Sequence, residues 1–235
     1  MSHARRHYAQ YCGLAAALDI VGERWTLLIV RELLLGPRRY GELLADLPGI
    51  GTNLLADRLK FLVDRQVLRK PASRDQGYEL TELGQQLREP VLMLARWGMT
   101  FLDGPAAEHE VRPRWGFLAV QAMIDPTRVS RTDEVYEFHV DDAVFHIRVS
   151  AGQAEAIEGK SAVAPAMTAR TDARTFIEIG AQRRTPFEAL ASGRLSLTGD
   201  PDAVIRASAL LGLLPDSPSG ERRRLNAAGE VVGAS

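Results

Sequence analysis

The sequence predicts a protein in two parts: a mainly helical N-terminal half, and a C-terminal half of α+β type. Two observations support this fold class. In the first half, apolar residues recur at helical spacing, as at Leu55, Leu59 and Leu62, which share one face of a helix. In the second half, Tyr136 to Val140 and Phe145 to Val149 alternate apolar and polar side chains. That alternation is the period of a half-buried strand.

Length and composition are typical of one or two soluble globular domains. The 235 residues are 46% hydrophobic and 25% charged, which excludes a disordered or membrane-embedded chain. The single cysteine, Cys12, rules out an intramolecular disulfide and favours a reducing compartment. No run reaches the ~20 apolar residues of a membrane span, and no signal-peptide core follows residue 6. We therefore expect a cytoplasmic protein with no membrane partner.

Helical periodicity divides the first hundred residues into five predicted helices. Glycine and proline mark most of the boundaries, as at Gly36-Pro37 and Pro48-Gly49. In a long final helix, Pro90 is expected to introduce a kink or to lie at a tolerated break. The predicted helices are 8–18, 19–35, 40–47, 51–63 and 81–102.

The helical stretch from Gly51 to Val63 follows a short helix and a tight turn that contains glycine. Two short helices joined in this way form a helix-turn-helix unit. Thr52 is a candidate N-cap, because its hydroxyl can accept a hydrogen bond from a first-turn N–H group. The face opposite the three leucines is polar and suits a DNA major groove. Its residues are Asn53, Ala56, Asp57, Lys60 and Asp64.

A basic hairpin is predicted directly after this helix. Residues 67–71 and 77–81 read as two short strands around a polar tip at residues 72–76. Between Arg38 and Arg74, cationic residues outnumber acidic ones, although the formal net charge of the whole chain is −1. A local excess of positive charge suits contact with phosphates. The arrangement predicts a wing beside a helix-turn-helix.

Several sequence blocks at fixed mutual spacing make residues 8–103 similar to a known family. The blocks are Gly22–Ile29, Arg31–Leu33, Arg39–Leu43, Leu55–Lys60, Val67–Arg69 and Tyr78–Gly84, with Cys12 in the predicted first helix. In these blocks the chain resembles the HxlR-type winged helix-turn-helix regulators of bacteria. The resemblance implies a homodimer, joined through its first and last helices, that binds double-stranded DNA. The chain departs from the family pattern at Glu23-Arg24 and at Thr52-Asn53, and the second departure affects which operator is read.

The predicted DNA-binding residues follow from side-chain chemistry. Asn53 suits an adenine edge, and Thr52 suits a thymine methyl group or a phosphate. Asp57 lies on the same face and belongs to the set. The alternative for each residue is a solvated charge or a helix-stabilising pair, such as Asp57 with Lys60. The candidates for phosphate contact are Arg39, Arg58, Lys60, Arg69, Lys70 and Arg74.

Cys12 has two interpretations. Some members of the family that the chain resembles sense oxidants through a thiol in this helix, whereas a free cysteine is ordinarily a small buried hydrophobe. His3 and His7 lie nearby, but a mobile terminus makes a poor preformed metal site. The sequence contains no evident nucleophile–base pair, phosphate loop or metal-ligand spacing. We therefore expect no catalytic residue, metal or cofactor, and no enzymatic activity.

The second half predicts a helix at residues 115–124, a hairpin turning at Asp141-Asp142, and a strand pair at 154–158 and 166–171. It then predicts helices at 172–180, 186–191 and 201–213, with a strand at 194–200. His139 and His146 fall on the polar side of the hairpin and are expected to face solvent.

Blocks at 171–176, 186–189 and 193–200 make residues 115–214 similar to the sterol-carrier-type lipid-binding fold. The resemblance implies a five-stranded sheet packed on helices, with an apolar tunnel for acyl chains or sterols. The same side chains equally fit a filled core, since periodicity does not distinguish the two. The candidate pocket residues are Phe138, Val140, Phe145, Ile147, Met167, Phe176, Leu195, Leu197 and Leu210.

Together these observations predict a winged helix-turn-helix domain at 1–103, a linker at 104–114, a sterol-carrier-like domain at 115–214 and a mobile tail at 215–235. The predicted function is a homodimeric DNA-binding transcriptional regulator, modulated by an apolar small molecule or lipid bound in the C-terminal domain. The alternative is a lipid carrier or accessory module in which the winged helix serves mainly for dimerisation.

Overall fold

The computed structural model describes residues 7–73, 76–102, 110–214, 224–225 and 231–232. Its contacts divide the chain into two compact units, Met1–Val91 and Leu92–Ser235. The finer division, with a separate linker at 104–114, stays a prediction, because residues 103–109 lie outside the described residues.

The N-terminal unit consists of helices and a short hairpin. The predicted third and fourth helices and the hairpin are confirmed. Arg38 also bridges to Tyr78, which adds a short third segment to the hairpin. The elements are α1 (Gly13–Val21), α2 (Thr26–Leu34), α3 (Tyr40–Asp46), α4 (Thr52–Asp64), β1 (Leu68–Arg69), β2 (Glu79–Leu80) and α5 (Glu82–Gln85). Helix α6 (Arg88–Gly98) spans the boundary between the two units.

Two predicted helices at the start of the chain are wrong in their limits. The first begins at Gly13, so Cys12 is its N-cap residue and not an internal position. The second does not run on from Asp19, because the chain leaves the helix at residues 22–25. There Trp25 has a φ of 77°, a left-handed conformation that a right-handed helix does not contain. The α1–α2 turn is residues 22–25.

The predicted long helix at 81–102 is also wrong, because it is divided into α5 and α6. Pro90 lies in the first turn of α6, where its missing N–H group leaves no hydrogen bond broken. Likewise, Thr52 is not the N-cap of α4. Gly51 occupies that position, and Thr52 is the first helical residue.

The core of the N-terminal unit forms where α2 and α4 turn their apolar faces inward. Leu55, Leu59 and Leu62 are at most 1% exposed, as their spacing predicts. Ile29 and Leu33 of α2 are equally buried. With this face of α4 in the core, the opposite face is left to solvent.

The C-terminal unit contains a five-stranded sheet in the order β5-β4-β3-β6-β7. Strands β3 and β6 are parallel, and the other neighbours are antiparallel. The predicted β3–β4 hairpin is confirmed, with Asp141 in the left-handed conformation at its turn. The strands are β3 (Glu134–Val140), β4 (Ala143–Ser150), β5 (Gln153–Glu158), β6 (Met167–Thr171) and β7 (Leu195–Gly199).

The predicted pairing of the strands at 154–158 and 166–171 with each other is wrong. β5 pairs with β4, whereas β6 pairs with β3 on the other side of the hairpin. The connection at residues 159–166 is long enough to cross two strands, which are about 4.8 Å apart. This register turns Ala154 and Ala156 to the same face as Val149 and Ile147, so the apolar side chains stay on one face.

Among the described residues of the C-terminal unit, four α-helices follow α6. Helix α7 contacts β4 and β5, and α10 contacts β6 and β7. Asp172, Thr185 and Asp200 cap α8, α9 and α10 through their side chains, as their positions before each helix favour. The helices are α7 (Pro113–Met123), α8 (Ala173–Gly180), α9 (Pro186–Ala191) and α10 (Pro201–Leu210). The described residues include no helix long and apolar enough to cross a membrane.

The prediction that His139 and His146 face solvent is wrong for His146, and His139 is only partly exposed. His146 is buried, and its Nδ1 lies 2.9 Å from the carbonyl oxygen of Gly159. His139 Nε2 lies 2.7 Å from the Glu137 carboxylate, which also accepts a hydrogen bond from the Ser161 N–H. These histidines are covered because the first residues of the connection at 159–166, Gly159 and Ser161, fold over this face of the sheet.

The predicted mobile tail at 215–235 lies outside the described residues, apart from a small antiparallel pair. The pair consists of β8 (Arg224–Leu225) and β9 (Val231–Val232).

Candidate DNA-binding surface and apolar cavity

The solvent-facing side of α4 brings together four of the predicted DNA-binding residues. Thr52, Asn53, Asp57 and Lys60 are all exposed. Asn53, Asp57 and Lys60 lie opposite the buried leucines, because residues three, four and seven apart share a helix face. Thr52 is exposed as the first residue of the helix. A polar helix face of this kind presents hydrogen-bonding side chains and a cation to solvent along the first three turns.

Three further predicted residues line one groove between the start of α3 and the β1–β2 hairpin. They are Arg39, Arg69 and Lys70, and the groove measures about 680 Å³. Two carboxylates moderate its charge. Glu42 accepts a hydrogen bond from the Arg39 backbone N–H at 2.6 Å, and Glu79 lies 3.3 Å from Arg69. The groove combines positive charge with open access, which suits a phosphate backbone.

The last two predicted residues behave differently. Arg58 turns toward the α1–α2 turn, where its Nη2 donates a 2.8 Å hydrogen bond to Glu23 Oε2. Its side chain is only 13% exposed, against 47% for Glu23. Arg74 lies outside the described residues. Arg58 is therefore a largely buried cation that is paired with a carboxylate inside the N-terminal unit.

Two contacts that the sequence did not reveal hold the beginning of α4. The Tyr40 hydroxyl donates a 2.8 Å hydrogen bond to the carbonyl of Thr52. The Trp25 ring lies against Gly49, close enough that an added β-carbon there would be 3.7 Å from it. Trp25 and Tyr40 both lie in the sequence blocks that resemble the HxlR-type family. Their place in those blocks is the sequence feature that could have pointed to a structural role.

The C-terminal unit contains an apolar cavity of about 60 Å³. Phe138, Met167, Phe176, Leu195 and Leu197, all predicted pocket residues, line it. Among the predicted residues, Val140, Phe145, Ile147 and Leu210 are instead buried in the surrounding core. Phe145 illustrates why, since its ring stacks behind that of Phe138 with centroids 5.5 Å apart.

Helix α10 forms a wall of the cavity. The sequence analysis expected the last helix to line the pocket near Leu210, and most of the residues that do so lie earlier in that helix. Val204, Ala207, Ser208 and Leu211 line the cavity at positions i, i+3, i+4 and i+7, which was a readable helical signal. Ser208 supplies a hydroxyl, and the lining that the structure describes includes no charged side chain. The remaining lining residues are Met123, Ala169, Ile179, Gly180, Pro186 and Leu213.

The cavity is narrow in this conformation. Pockets for drug-sized ligands measure about 300–1,000 Å³, so a molecule of that size requires the lining to move. Leu211 and Leu213 lie on either side of Gly212, whose carbonyl accepts a long 3.4 Å hydrogen bond from Gln182 Nε2. Gln182 lies just after the end of α8, and a hydrogen bond of this length is weak.

An ionic cluster fixes α10 to the sheet. Arg206 donates two hydrogen bonds to the Glu134 carboxylate, at 2.6 and 2.7 Å, and the Tyr136 hydroxyl donates a third at 2.6 Å. These bonds from Arg206, above all, hold the pKa of Glu134 below its ordinary value. Burial and the adjacent carboxylate raise the pKa of Tyr136. The cluster therefore anchors the helix that forms one side of the cavity.

The interpretation of Cys12 as a buried hydrophobe is wrong, because the thiol is exposed. Hydrogen bonds from the backbone N–H groups of Ala15 and Leu14 lower its pKa, since they stabilise the thiolate. Within the described residues, no group of three or more His, Cys, Asp or Glu side chains is arranged to hold a metal ion.

Comparison with known proteins assigns the N-terminal unit. Residues 20–105 match the model of the HxlR-like helix-turn-helix family. The HTH-type transcriptional regulator YodB of Bacillus subtilis is 34% identical over 95 residues, which cover 38% of this chain and 84% of YodB. The chain belongs to the HxlR-like helix-turn-helix family. In this HxlR-like protein the matched segment contains α4, the basic groove and Glu23, whereas Cys12 precedes it.

Other proteins are similar to the same part of the chain. An uncharacterized HTH-type transcriptional regulator of Mycobacterium tuberculosis is 44% identical over 93 residues, or 38% of this chain. The match covers 58% of that protein, a little over half of its length. A crystal structure of quinone-bound YodB is 30% identical and covers 36% of this chain and 93% of that chain, with a TM-score of 0.34.

The second half of the HxlR-like chain matches another family. Residues 118–212 match the SCP-2 sterol transfer family, which confirms the predicted sterol-carrier-like fold. The match includes every described lining residue of the cavity except Leu213.

Proposed function

We propose that this protein is a DNA-binding transcriptional regulator whose C-terminal domain binds an apolar small molecule. The observation that supports the DNA-binding part most directly is the exposed polar face of α4 beside the basic groove. A second observation, the uncharged cavity within the SCP-2-like segment, supports the ligand-binding part.

In the proposed complex, α4 lies in the major groove of DNA. Its first residues, Thr52 and Asn53, reach base edges, which is where recognition helices of this kind make their specific contacts. Arg39, Arg69 and Lys70 bind phosphates from the adjacent groove. Phosphate contacts determine affinity for any sequence, and the α4 contacts determine which sequence is preferred.

We also propose that the protein acts as a homodimer. Helix α1 exposes Leu14, and α6 exposes Met93, Leu94 and Trp97. Apolar side chains exposed together on a helix are typical of an interaction surface. HxlR-type proteins are joined through their first and last helices, and these two helices are the corresponding ones here. A two-fold dimer then reads a near-palindromic operator with half-sites one or more helical turns apart.

The proposed ligand is apolar and uncharged where it enters the cavity. Burying an unpaired charge against this lining costs too much free energy. Such a ligand regulates DNA binding only if it binds the DNA-competent and incompetent forms of the dimer with different affinity. The cavity also supports a second candidate function, a lipid carrier in which the winged helix serves mainly for dimerisation. We propose that neither function includes catalysis.

Measuring DNA affinity against salt concentration tests the proposal. The probes are a duplex that the protein selects from a randomised pool and a random-sequence duplex of the same length. A regulator binds the selected duplex more tightly, and both affinities fall by orders of magnitude between 50 and 200 mM salt if about six or more phosphates are contacted. Weak binding that does not change with salt overturns the regulator and favours the carrier. Native mass spectrometry of the same preparation reports dimer mass and any retained apolar molecule.

A further inference from the structure

The α1–α2 turn contacts the α4 region at two points. Glu23 accepts the hydrogen bond from Arg58, at the middle of α4. Trp25, two residues later, places its ring against Gly49 in the turn that precedes α4. The same short turn therefore supports both the recognition helix and the loop that leads into it.

Arg58 differs from its neighbours on α4 in its surroundings. Asp57 and Lys60 are exposed, whereas the Arg58 side chain is 13% exposed and lies 2.8 Å from a carboxylate. Its charge is already neutralised within the protein. A phosphate would have to replace Glu23 and draw the guanidinium out of a position in which the Arg58 side chain is only 13% exposed.

A second anchor lies near the start of the helix, where Tyr40 binds the carbonyl of Thr52. Six residues separate Thr52 from Arg58, which corresponds to about 9 Å along a helix. Two anchors at this separation fix the direction of the helix axis as well as its position. The direction matters because bidentate contacts to base edges tolerate only about 10–20° of misalignment.

We propose that Glu23 and Arg58 are positioning residues: their ion pair sets the orientation of α4 in the major groove, and Arg58 does not contact phosphate. This inference rests on the proposed DNA-binding function and identifies part of its specificity. The sequence alone placed Arg58 among the phosphate contacts. The structure gives that side chain a different partner.

The two roles have different signatures in binding measurements. A phosphate contact contributes to affinity for every sequence, and its loss reduces the salt slope by about 0.9 per protomer. A positioning contact affects the preference for the selected duplex over the random duplex. Its loss leaves the salt slope on random duplex unchanged.

The experiment measures fluorescence anisotropy of the full chain on the two duplexes between 50 and 200 mM salt. The variants are Glu23→Gln and Arg58→Gln, with Lys70→Gln in the basic groove as the matched control. We expect both positioning variants to lose on the order of tenfold in preference, the equivalent of one base contact, with an unchanged salt slope on random duplex. The Lys70→Gln variant is expected to keep its preference and to show the shallower slope.

A charge swap separates positioning from a general loss of structure. In the double variant Glu23→Arg with Arg58→Glu, the ion pair forms with reversed polarity, so we expect much of the preference to return. If Arg58 contacted phosphate, a glutamate there would bind more weakly than Arg58→Gln. Where Arg58→Gln does not fold, Glu23→Gln decides the question, because Glu23 is 47% exposed and tolerates the change.

Two results would overturn the inference. A shallower slope in Arg58→Gln with its preference intact would make Arg58 a phosphate contact, and the regulator would stand. Unchanged preference in Glu23→Gln would remove the positioning role. If the wild-type protein itself shows no preference and no salt dependence, the proposed function fails, which is a separate outcome.

Discussion

The Tyr40 hydroxyl donates a 2.8 Å hydrogen bond to the backbone carbonyl of Thr52, and so joins the first residue of α3 to the first residue of α4. The bond connects the two helices of the helix-turn-helix at the end that is proposed to read bases. It therefore influences both the stability of the N-terminal unit and the geometry of its DNA-reading surface.

The first prediction concerns this bond. Tyr40→Phe removes the hydroxyl and leaves the ring, so we expect the free energy of unfolding to fall by about 1 kcal/mol, the usual net value of one hydrogen bond. Preference for the selected duplex should fall as well. Urea denaturation and anisotropy measure the two effects. Tyr8→Phe is the control, since Tyr8 is exposed. Equal behaviour of the two variants would show that the Tyr40 bond is unimportant.

The second prediction separates base contacts from phosphate contacts. Asn53→Ala should relax discrimination at one base position by about 1–3 kcal/mol, because one bidentate contact is lost. Lys70→Ala should weaken binding to all sequences and reduce the salt slope by about 0.9 per protomer. Selection from a randomised pool and salt titration provide the readouts. Lys160→Ala, an exposed lysine in the other unit, is the control. Loss of all DNA binding in Asn53→Ala would contradict the role of Asn53 as a contact to a single base.

The third prediction concerns the cavity. Val204 lines it, whereas its neighbour Ile205 is exposed. Val204→Phe should fill the cavity and abolish uptake of a neutral apolar fluorescent probe, at a stability cost of about 1–3 kcal/mol from overpacking. Ile205→Phe adds the same ring outside and should retain uptake. Fluorescence titration measures both. Equal uptake by the two variants would place the probe elsewhere.

The fourth prediction is a pH dependence. The folded state lowers the pKa of Glu134, chiefly through Arg206. The resulting stabilisation is present above the unfolded pKa of about 4.3 and is lost as the pH falls through the folded pKa. The stability gap between wild type and Glu134→Gln should therefore be constant above about pH 5 and narrow below it. Urea unfolding from pH 7 to pH 3 measures the gap. If the difference in stability between wild type and Glu134→Gln grew as the pH fell, the Glu134 carboxylate would not be stabilised by Arg206 as described.

The fifth prediction concerns Cys12, the only cysteine of the chain. Because backbone N–H groups lower its pKa, its alkylation by iodoacetamide should reach half of its maximal rate at a lower pH than that of a free cysteine. Mass spectrometry across a pH series gives the profile, and Cys12→Ser should remain unlabelled. If the alkylation of Cys12 reached half of its maximal rate at or above the pH found for free cysteine, the basis for oxidant sensing by this thiol would be removed. Oxidant sensing stays a prediction.

The sequence by itself determined those helices and strands whose pattern of apolar and polar residues lies within the element itself. The apolar spacing of Leu55, Leu59 and Leu62 determined which face of α4 is buried, and therefore which face is exposed. Alternation around Asp141-Asp142 determined the β3–β4 hairpin. Such patterns are readable because the periods of the helix and strand place residues on faces before any distant contact forms.

Only the tertiary structure decided the features that depend on residues far apart in the chain. Glu23 and Arg58 are 35 positions apart, and no local pattern identifies one as the partner of the other. The crossing of β5 to β6 and the burial of His146 under that crossing are of the same kind. Each depends on long-range packing, in which several partners are compatible with one pattern and the assembled core selects among them.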